Sequence, residues 1–253
     1  MNYIKYPYLE FKIEKLKQIL EINNVSPCHG IIHALDVLNN AINALSEYNL
    51  SDENIKCVLF AALLHDADDK KFFPNNNNLD NLRNILCNEP QIIIDNVVKM
   101  VNLVSSSKNG DNIPDNTEEW MLIPRYSDRL EAIGLIGITR LLIYTIYTNT
   151  KIYVEDTPRP KNIDELYEYA SIERYNKYKG NSNSLFDHCF DKLLRFSNFP
   201  IKNKFLNEEA SKRIKYIIDF VLLFGCYKIN TIDDIKIYIY EHDQNILNSY
   251  MRA

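Results

Sequence analysis

A buried helix that runs directly into a cluster of charges is the feature that most constrains this chain. Residues 61–72 read AALLHDADDKKF, so four apolar residues are followed by one imidazole, three carboxylates and two amines. Charged groups do not follow a buried segment into a protein interior unless something compensates them. A divalent cation at the mouth of a helical core would provide that compensation. The segment therefore predicts a metal centre at the end of a helix.

Apolar periodicity predicts an all-α fold. Leu9, Ile13, Leu16 and Leu20 mark one face of a helix over 8–23. A Ser-Pro pair then begins a second helix over 26–47, and a Ser-Asp-Glu sequence begins the third, which delivers His65 and Asp66. Further helices are predicted over 79–87, 91–104, 125–147, 184–196, 207–224 and 232–247.

Some segments fit this pattern less well. The polar stretches 74–78 and 105–124 have loop compositions, 151–161 is irregular and 167–180 has no clear period. Gly134 and Gly137 would weaken the long helix predicted over 125–147, unless a neighbouring backbone approaches closely. Alternating isoleucines at 235, 237 and 239 leave one short strand pair outside the core as an alternative. We expect one all-α domain over 1–253, with the metal motifs in 26–140.

Charge and cysteine usage exclude several classes of protein. The net charge of −5 gives no general electrostatic case for binding a nucleic-acid polymer or a membrane. Five scattered cysteines, none in a C-x-x-C pair, argue against a disulfide scaffold and a zinc ribbon. No apolar run reaches membrane-spanning length and the N-terminus lacks a signal-peptide core. We therefore expect a soluble cytoplasmic protein.

Two further side chains are candidates to complete a metal site with His65 and Asp66. They are His33, on the second helix, and Asp128, near the start of the long helix. Two imidazoles and two carboxylates suit Mn²⁺, Mg²⁺, Fe²⁺ or Co²⁺ better than a closed structural zinc site. A second His-Asp pair at 242–243 has no apolar lead-in, and we interpret it as a surface pair.

Five ordered blocks resemble the HD-domain metal-dependent phosphohydrolases, and most of all their bacterial nucleotide pyrophosphohydrolase-like subgroup. The blocks are HGIIH at 29–33, ALLHDADDKKF at 62–72, SSKN at 106–109, YSDRLEAIGLIGITR at 126–140 and HCFDKLL at 188–194. The resemblance spans roughly 26–224 and implies an HD-domain helical bundle. Tyr126, Gly30 and Ile31 depart from the subgroup's pattern. The Asn-rich loop at 74–78 and the segment 167–180 are particular to this chain, and we expect them to bear on substrate choice.

The resemblance also implies roles for individual residues. One divalent ion, Mn²⁺ or Mg²⁺ first and Fe²⁺, Co²⁺, Ni²⁺ or Zn²⁺ as alternatives, would bind His33, His65, Asp66 and Asp128. Asp69 would shuttle a proton, and Lys71, the second catalytic residue, would help to hold the phosphates and neutralise developing charge. Segment 184–224 would be a phosphate-contacting part of the domain. The residues that would bind substrate are basic: His29, Lys108, Arg129, Arg140, His188 and Lys192. His188 and Lys192, four residues apart, would share a helix face.

Simpler interpretations stand beside these roles. His29 could be a second ligand, a phosphate donor or a capping partner, and Asp69 only a solvated acid. Asp68 and Lys70 are expected to be solvated. Arg129 could pair with Glu131 or Asp128, and Arg140 could lie in a buried ion pair.

The resemblance implies hydrolysis of nucleoside triphosphates to monophosphates and pyrophosphate. No histidine lies between Asp66 and His188, which favours a mononuclear site over the two-metal sites of some relatives. A 5′-nucleotidase or phosphodiesterase is the enzymatic alternative, and a metal- or nucleotide-binding sensor is the alternative of another class. The expected partner is a small nucleotide, and the oligomeric state is left open.

Overall fold

The computed structural model describes residues 2–104, 112–178, 181–196 and 199–251, and within these ranges the chain is all-α. The described ranges contain thirteen α-helices. They are α1 Glu10–Ile22, α2 Ile31–Leu45, α3 Asp52–Leu64, α4 Asp80–Ile85, α5 Gln91–Val104, α6 Ile123–Glu131, α7 Gly134–Tyr147, α8 Ile163–Tyr169, α9 Ile172–Lys177, α10 Leu185–Asp191, α11 Lys204–Gly225, α12 Ile232–His242 and α13 Ile246–Met251.

The strand alternative at the alternating isoleucines is wrong, and the described residues contain no strand. These isoleucines lie in α12, which Thr231 and Asp234 begin with a reciprocal capping box. Ile235 and Ile239 are buried one helical turn apart, whereas Ile237 is 56% exposed. The apolar side chain at 237 therefore mimics a strand pattern without contributing to the core.

The chain forms two compact units, and the first contains all the residues up to Asp128 together with Ile201–Leu206. In this unit α3 packs against α2 and α5, and α1 packs against α2 and α4. Every side chain of α3 from Cys57 to Leu64 is buried. A helix that is apolar on all sides belongs in the middle of a core, which explains why α3 has neighbours on both sides.

A buried ion cluster joins the first helix to the end of α4. The Lys12 ammonium, only 5% exposed, lies 3.2 Å from the Glu89 carboxylate and donates to the Ile85 carbonyl at 3.0 Å. Lys56 contacts the other carboxylate oxygen of Glu89 at 2.6 Å. The two ammonium groups hold the pKa of Glu89 below its usual value against the effect of burial.

The second predicted helix is interrupted at its start. Pro27–His29 forms a separate 3₁₀ turn, and α2 begins only after Gly30, whose backbone is extended. The prediction of one continuous helix over 26–47 is therefore wrong at its first turn. A consequence for the site is that His29 and His33 lie on different elements.

The predicted long helix over 125–147 is also two helices. α6 begins at Ile123 and ends at Glu131, and α7 begins at Gly134, whose φ is +80°. An added Cβ at Gly137 would lie 2.3 Å from the Ala132 carbonyl oxygen. The glycine pair thus allows a close approach of backbone, as the sequence suggested, but it does so by ending one helix and beginning another.

The second unit holds Arg129–Pro200 and the residues from Asn207 onward. Here α7 packs against α10, α12 and α13. Its core contains a stack of aromatic rings, in which Phe186 lies 3.7 Å from Phe224 and 4.9 Å from Phe220 between ring centroids. The irregular segment with two prolines is anchored at Arg159, which donates to the Phe224 carbonyl and lies 3.9 Å from that residue's ring.

Segment 167–180, which showed no clear period, contains the end of α8 and the whole of α9. A buried network ties α9 to α10. Arg174 donates to Asp187 at 2.7 Å and also to Asp191, while Ser184 donates to Asp187 at 2.7 Å. These contacts stabilise two short helices that have little periodic signal of their own.

None of the described helices is, by itself, both long enough and apolar enough to cross a membrane. Among the described residues, one bent pair, Glu119–Glu131 with Gly134–Tyr147, reaches that length and composition when its two parts are joined.

Candidate metal centre

Three helices of the first unit bring four predicted metal ligands together. His33 lies in the first turn of α2, and Asp128 lies in α6. His65 and Asp66 follow the last residue of α3, with His65 as its C-terminal cap. The His65 Nδ1–H donates to the Ala62 carbonyl at 2.9 Å. That bond makes Nε2 the nitrogen that is available to the other three groups.

Four donor atoms meet at this centre. The Nε2 atoms of His33 and His65 are 3.1 Å apart. An oxygen of Asp128 lies 3.4 and 3.5 Å from these two nitrogens. An oxygen of Asp66 lies 3.7 and 3.6 Å from them. The sequence prediction that these side chains share one space is confirmed for every pair that involves an imidazole.

The donor set fits a divalent ion. Ligands held at about 2.1 Å from one ion lie roughly 3.0–3.4 Å from each other in octahedral or tetrahedral arrangements. The observed separations, from 3.1 to 3.7 Å, are close to this range. Two imidazole nitrogens and two carboxylate oxygens also match the donor chemistry of a transition-metal or magnesium site. The buried His/Asp group can therefore hold a metal ion.

Burial and charge are unequal around the centre. The side chains of His33 and His65 are 1% exposed, whereas those of Asp66 and Asp128 are 26% and 29% exposed. Burial acts to lower the pKa of His65, but the carboxylates of Asp66 and Asp128 raise this pKa to about 9. Despite burial, the imidazoles hold the pKa values of both carboxylates well below their usual range. A metal cation bound between these groups would take the place of the protons that the imidazoles carry in its absence.

His29 contacts this centre from outside. Its Nδ1 lies 2.8 Å from the Asp66 oxygen that faces the two imidazoles. Its ring packs against Phe72, with 5.5 Å between ring centroids, and approaches the edge of His33 at 6.1 Å. The structure thus brings this predicted substrate-binding residue into contact with a metal ligand.

The predicted catalytic pair lies just beyond the ligands. The Asp69 carboxylate accepts a hydrogen bond from the backbone N–H of Lys71 at 2.9 Å, which closes a turn. Asp69 is partly exposed and Lys71 is exposed. Neither side chain is among the donors that meet at the centre in the part of the chain that the structure describes. Their roles therefore remain predictions from the resemblance.

The expectation that Asp68 is solvated is wrong. Asp68 is 7% exposed, and its carboxylate accepts hydrogen bonds from the backbone N–H groups of Asn81 and Leu82, each at 2.9 Å. The Asn76 side chain donates to the same carboxylate at 2.7 Å. Leu79 precedes α4 in a left-handed conformation and offers no capping side chain. Asp68 therefore caps α4 from a distance and fastens the Asn-rich loop to the segment that carries the ligands.

We expect Asp68→Ala to lower the free energy of unfolding by about 2–4 kcal/mol, because two buried N–H groups and one amide lose a charged acceptor. Urea denaturation followed by circular dichroism measures this change. Asp80→Ala is the matched control, since Asp80 is exposed in the first turn of α4, and we expect it to cost less than about 1 kcal/mol. Equal losses in the two variants would contradict a special role for Asp68.

Three predicted phosphate-binding residues lie together in the second unit. The His188 Nδ1 is 3.4 Å from the Tyr178 hydroxyl, and the Lys192 ammonium is 5.9 Å from the centroid of the same ring. Lys192 and Arg129 both lie over the Phe196 ring, at 5.7 and 4.9 Å. The shared helix face expected for His188 and Lys192 is wrong, because α10 ends at Asp191. The two side chains meet on Tyr178 instead.

Arg140 and Glu131 have structural partners in the same unit. Arg140 donates to the Glu131 carbonyl at 2.8 Å, and the Glu131 carboxylate pairs with Arg213 at 2.8 Å. Arg213 also donates to the Leu130 carbonyl at 3.0 Å. No local sequence pattern singles out Arg213, since the contact joins residues 82 positions apart. Lys108, the remaining candidate, lies outside the described residues.

Comparison with known proteins identifies a relative but no family model matches the chain. The chain is 37% identical over 229 residues to an uncharacterized protein, L803 of Acanthamoeba polyphaga mimivirus, and the match covers 83% of this chain and 93% of that protein.

Solved structures with a similar fold come from bacteria. A Lactobacillus plantarum protein has a TM-score of 0.63 and 21% identity, over 88% of this chain and 97% of that one. Bacillus subtilis YpgQ, crystallised in complex with ADP, has a TM-score of 0.55 and 19% identity, over 88% and 99%. These likenesses establish the helical fold.

Proposed function

We propose that this chain, which belongs to the same family as protein L803 of Acanthamoeba polyphaga mimivirus, is a metal-dependent phosphohydrolase that acts on nucleotides. The reaction we propose is hydrolysis of a nucleoside triphosphate to a monophosphate and pyrophosphate. The observation that carries the proposal is the convergence of two imidazoles and two carboxylates, drawn from three helices, on one small space.

Three further observations support the proposal. Five sequence blocks resemble those of the HD-domain phosphohydrolases, and four of them fall mainly on described residues. A protein with a similar fold, YpgQ, was crystallised with ADP, which is a nucleotide of the proposed substrate class. The exposed sides of Asp66 and Asp128 leave room for water beside the donors.

His33, His65, Asp66 and Asp128 would hold a divalent ion, Mn²⁺ or Mg²⁺ in our proposal, which supplies Lewis-acid polarisation of a phosphoryl oxygen and lowers the pKa of water. The two imidazoles are buried and close the apolar side of the site. The two carboxylates are partly exposed and face the side from which water and substrate arrive. The Ala62 carbonyl keeps His65 Nε2 unprotonated when an ion is bound.

Asp69 is the proposed acid that moves the proton of the attacking water. One of its oxygens is held by the Lys71 backbone N–H, so the carboxylate has a fixed orientation one turn after Asp66. The Lys71 ammonium would offset charge on the leaving phosphates. Arg129, His188 and Lys192, all in the second unit, remain the phosphate-binding residues that the resemblance implies. Within that unit Lys192 shares the Tyr178 ring with His188 and the Phe196 ring with Arg129.

A product assay tests the proposed reaction. The purified chain, stripped with EDTA and reloaded with Mn²⁺ or Mg²⁺, is incubated with a panel of ribo- and deoxyribonucleotides, and ion chromatography separates pyrophosphate from orthophosphate. We expect pyrophosphate and a monophosphate in equal amounts, only in the reloaded protein. Orthophosphate from monophosphates would instead identify a 5′-nucleotidase. Binding without turnover would identify a sensor.

A further inference from the structure

The contact between His29 and Asp66 gives His29 a role that its sequence motif did not indicate. A carboxylate accepts hydrogen bonds and donates none, so the 2.8 Å contact requires a proton on His29 Nδ1. The His29 Nδ1–H is therefore engaged by a predicted metal ligand and is not available to a substrate phosphate.

A second metal ion held by His29 also fits the contacts poorly. His29, His33 and Asp66 have donor atoms close enough together to form a site of their own. Each imidazole nitrogen has one lone pair, however, and that of His33 Nε2 is directed to the space shared with His65 and Asp128. The Nε2 atom of His33 cannot belong to both triads at once. The remaining pair, His29 and Asp66, is too small a ligand set for a second ion.

We propose that His29 is a positioning residue that orients the Asp66 carboxylate toward the metal centre. Asp66 is partly exposed and follows the end of α3, so the helix itself does not fix its side chain. The His29 N–H holds the same oxygen that lies 3.6 and 3.7 Å from the two buried imidazoles. The position of His29 is itself fixed in two ways. Its backbone N–H donates to the Ser26 carbonyl at 2.8 Å within the 3₁₀ turn, and its ring packs against Phe72.

This inference rests on the metal centre of the proposed function. A measurement of metal affinity without substrate tests the role of His29 separately from the proposed reaction. Isothermal titration with Mn²⁺ and elemental analysis give the dissociation constant and the stoichiometry without any substrate. We expect His29→Phe, which keeps the ring packing and loses the N–H, to weaken Mn²⁺ binding by about 10–100-fold. We expect His29→Asn, which keeps a donor near the Nδ1 position, to restore most of that loss. Both variants should keep one ion per chain when saturated.

The matched control is His242→Phe. His242 also packs on an aromatic ring and has its Nδ1 bonded, but to the Tyr238 carbonyl, and it is exposed. We expect unchanged Mn²⁺ affinity in this variant. His29→Ala replaces His29→Phe in the titration if the phenylalanine variant does not fold.

Several outcomes would overturn the inference. Unchanged metal affinity in His29→Phe, or no restoration in His29→Asn, would show that the hydrogen bond does not orient Asp66. Two ions per wild-type chain, with one lost in His29→Phe, would make His29 a ligand. A higher KM for nucleotide at unchanged metal affinity would make it a substrate contact. No metal binding by the wild-type chain would instead remove the proposed function.

Discussion

Asp66→Asn and His33→Gln will each lower turnover by about 10³-fold or more and will weaken Mn²⁺ binding in parallel. Each substitution keeps the approximate size of the side chain and removes one donor from a set of four, in which the two imidazole nitrogens lie 3.1 Å apart and each lies 3.4–3.7 Å from an oxygen of either carboxylate. A bound metal ion stabilises the transition state by several kcal/mol. Its loss lowers turnover by about 10³-fold, because each 1.36 kcal/mol of activation free energy changes the rate tenfold. Steady-state kinetics at saturating Mn²⁺ measure the change.

The same kinetics on His242→Gln provide the control. His242 is followed by an aspartate, as His65 is, but it lies at the exposed end of α12. Its Nδ1–H donates to the Tyr238 carbonyl one turn earlier in the same helix. We expect wild-type turnover in this variant. If all three variants lose turnover equally, the centre has been assigned to the wrong histidines. If Asp66→Asn and His33→Gln remain active, a different centre carries the reaction.

Gly225→Ala will destabilise the chain by about 3 kcal/mol or more. A Cβ at this position would lie 1.8 Å from the Pro160 carbonyl oxygen and 2.9 Å from its carbon. Both atoms belong to backbone that Arg159 fastens to the adjacent Phe224 carbonyl, so neither can move without breaking that anchor. Overpacking of this kind costs roughly 1–3 kcal/mol where side chains yield, and more where backbone must move.

Thermal and urea unfolding measure this effect, and we expect a midpoint lower by about 6–12 °C for a chain of this size. Gly30→Ala is the control glycine. Its added Cβ would lie 3.3 Å from the Pro27 carbonyl oxygen, and its φ of −80° suits any residue. We expect its cost to be below about 1 kcal/mol. A Gly225→Ala chain as stable as the wild type would show that the segment around Pro160 can move away freely.

The helices that the sequence predicted well are those with a buried face of their own. The bounds of α5 match the prediction at both ends, and α3 was predicted from an apolar run that is buried on every side. The candidate metal ligands could also be predicted from the sequence. Their residue types and their order along the chain restrict the chemistry strongly, so His33 and Asp128 could be paired with His65 and Asp66 without coordinates.

Where prediction failed, a single residue outweighed the local pattern. Gly30 and Gly134 interrupt helices whose apolar period continues across them, because backbone conformation at glycine is not reported by hydrophobicity. Asp68 looked solvated because its sequence neighbours are charged, but its donors lie 8–14 residues later. The pairing of Glu131 with Arg213 spans a still longer separation. Contacts of this kind depend on tertiary structure, which one sequence does not reveal.

The uneven burial of the four ligands has a consequence for the order in which solutes bind. Imidazoles line the inner wall and carboxylates line the outer one, so the entrance carries two negative charges before any cation arrives. A nucleotide polyphosphate approaching first would be repelled there, whereas a dication would be attracted. A bound dication would offset these two charges and so remove the repulsion. If the proposed function holds, this layout favours a fixed binding order, with the cation first and the anionic substrate second.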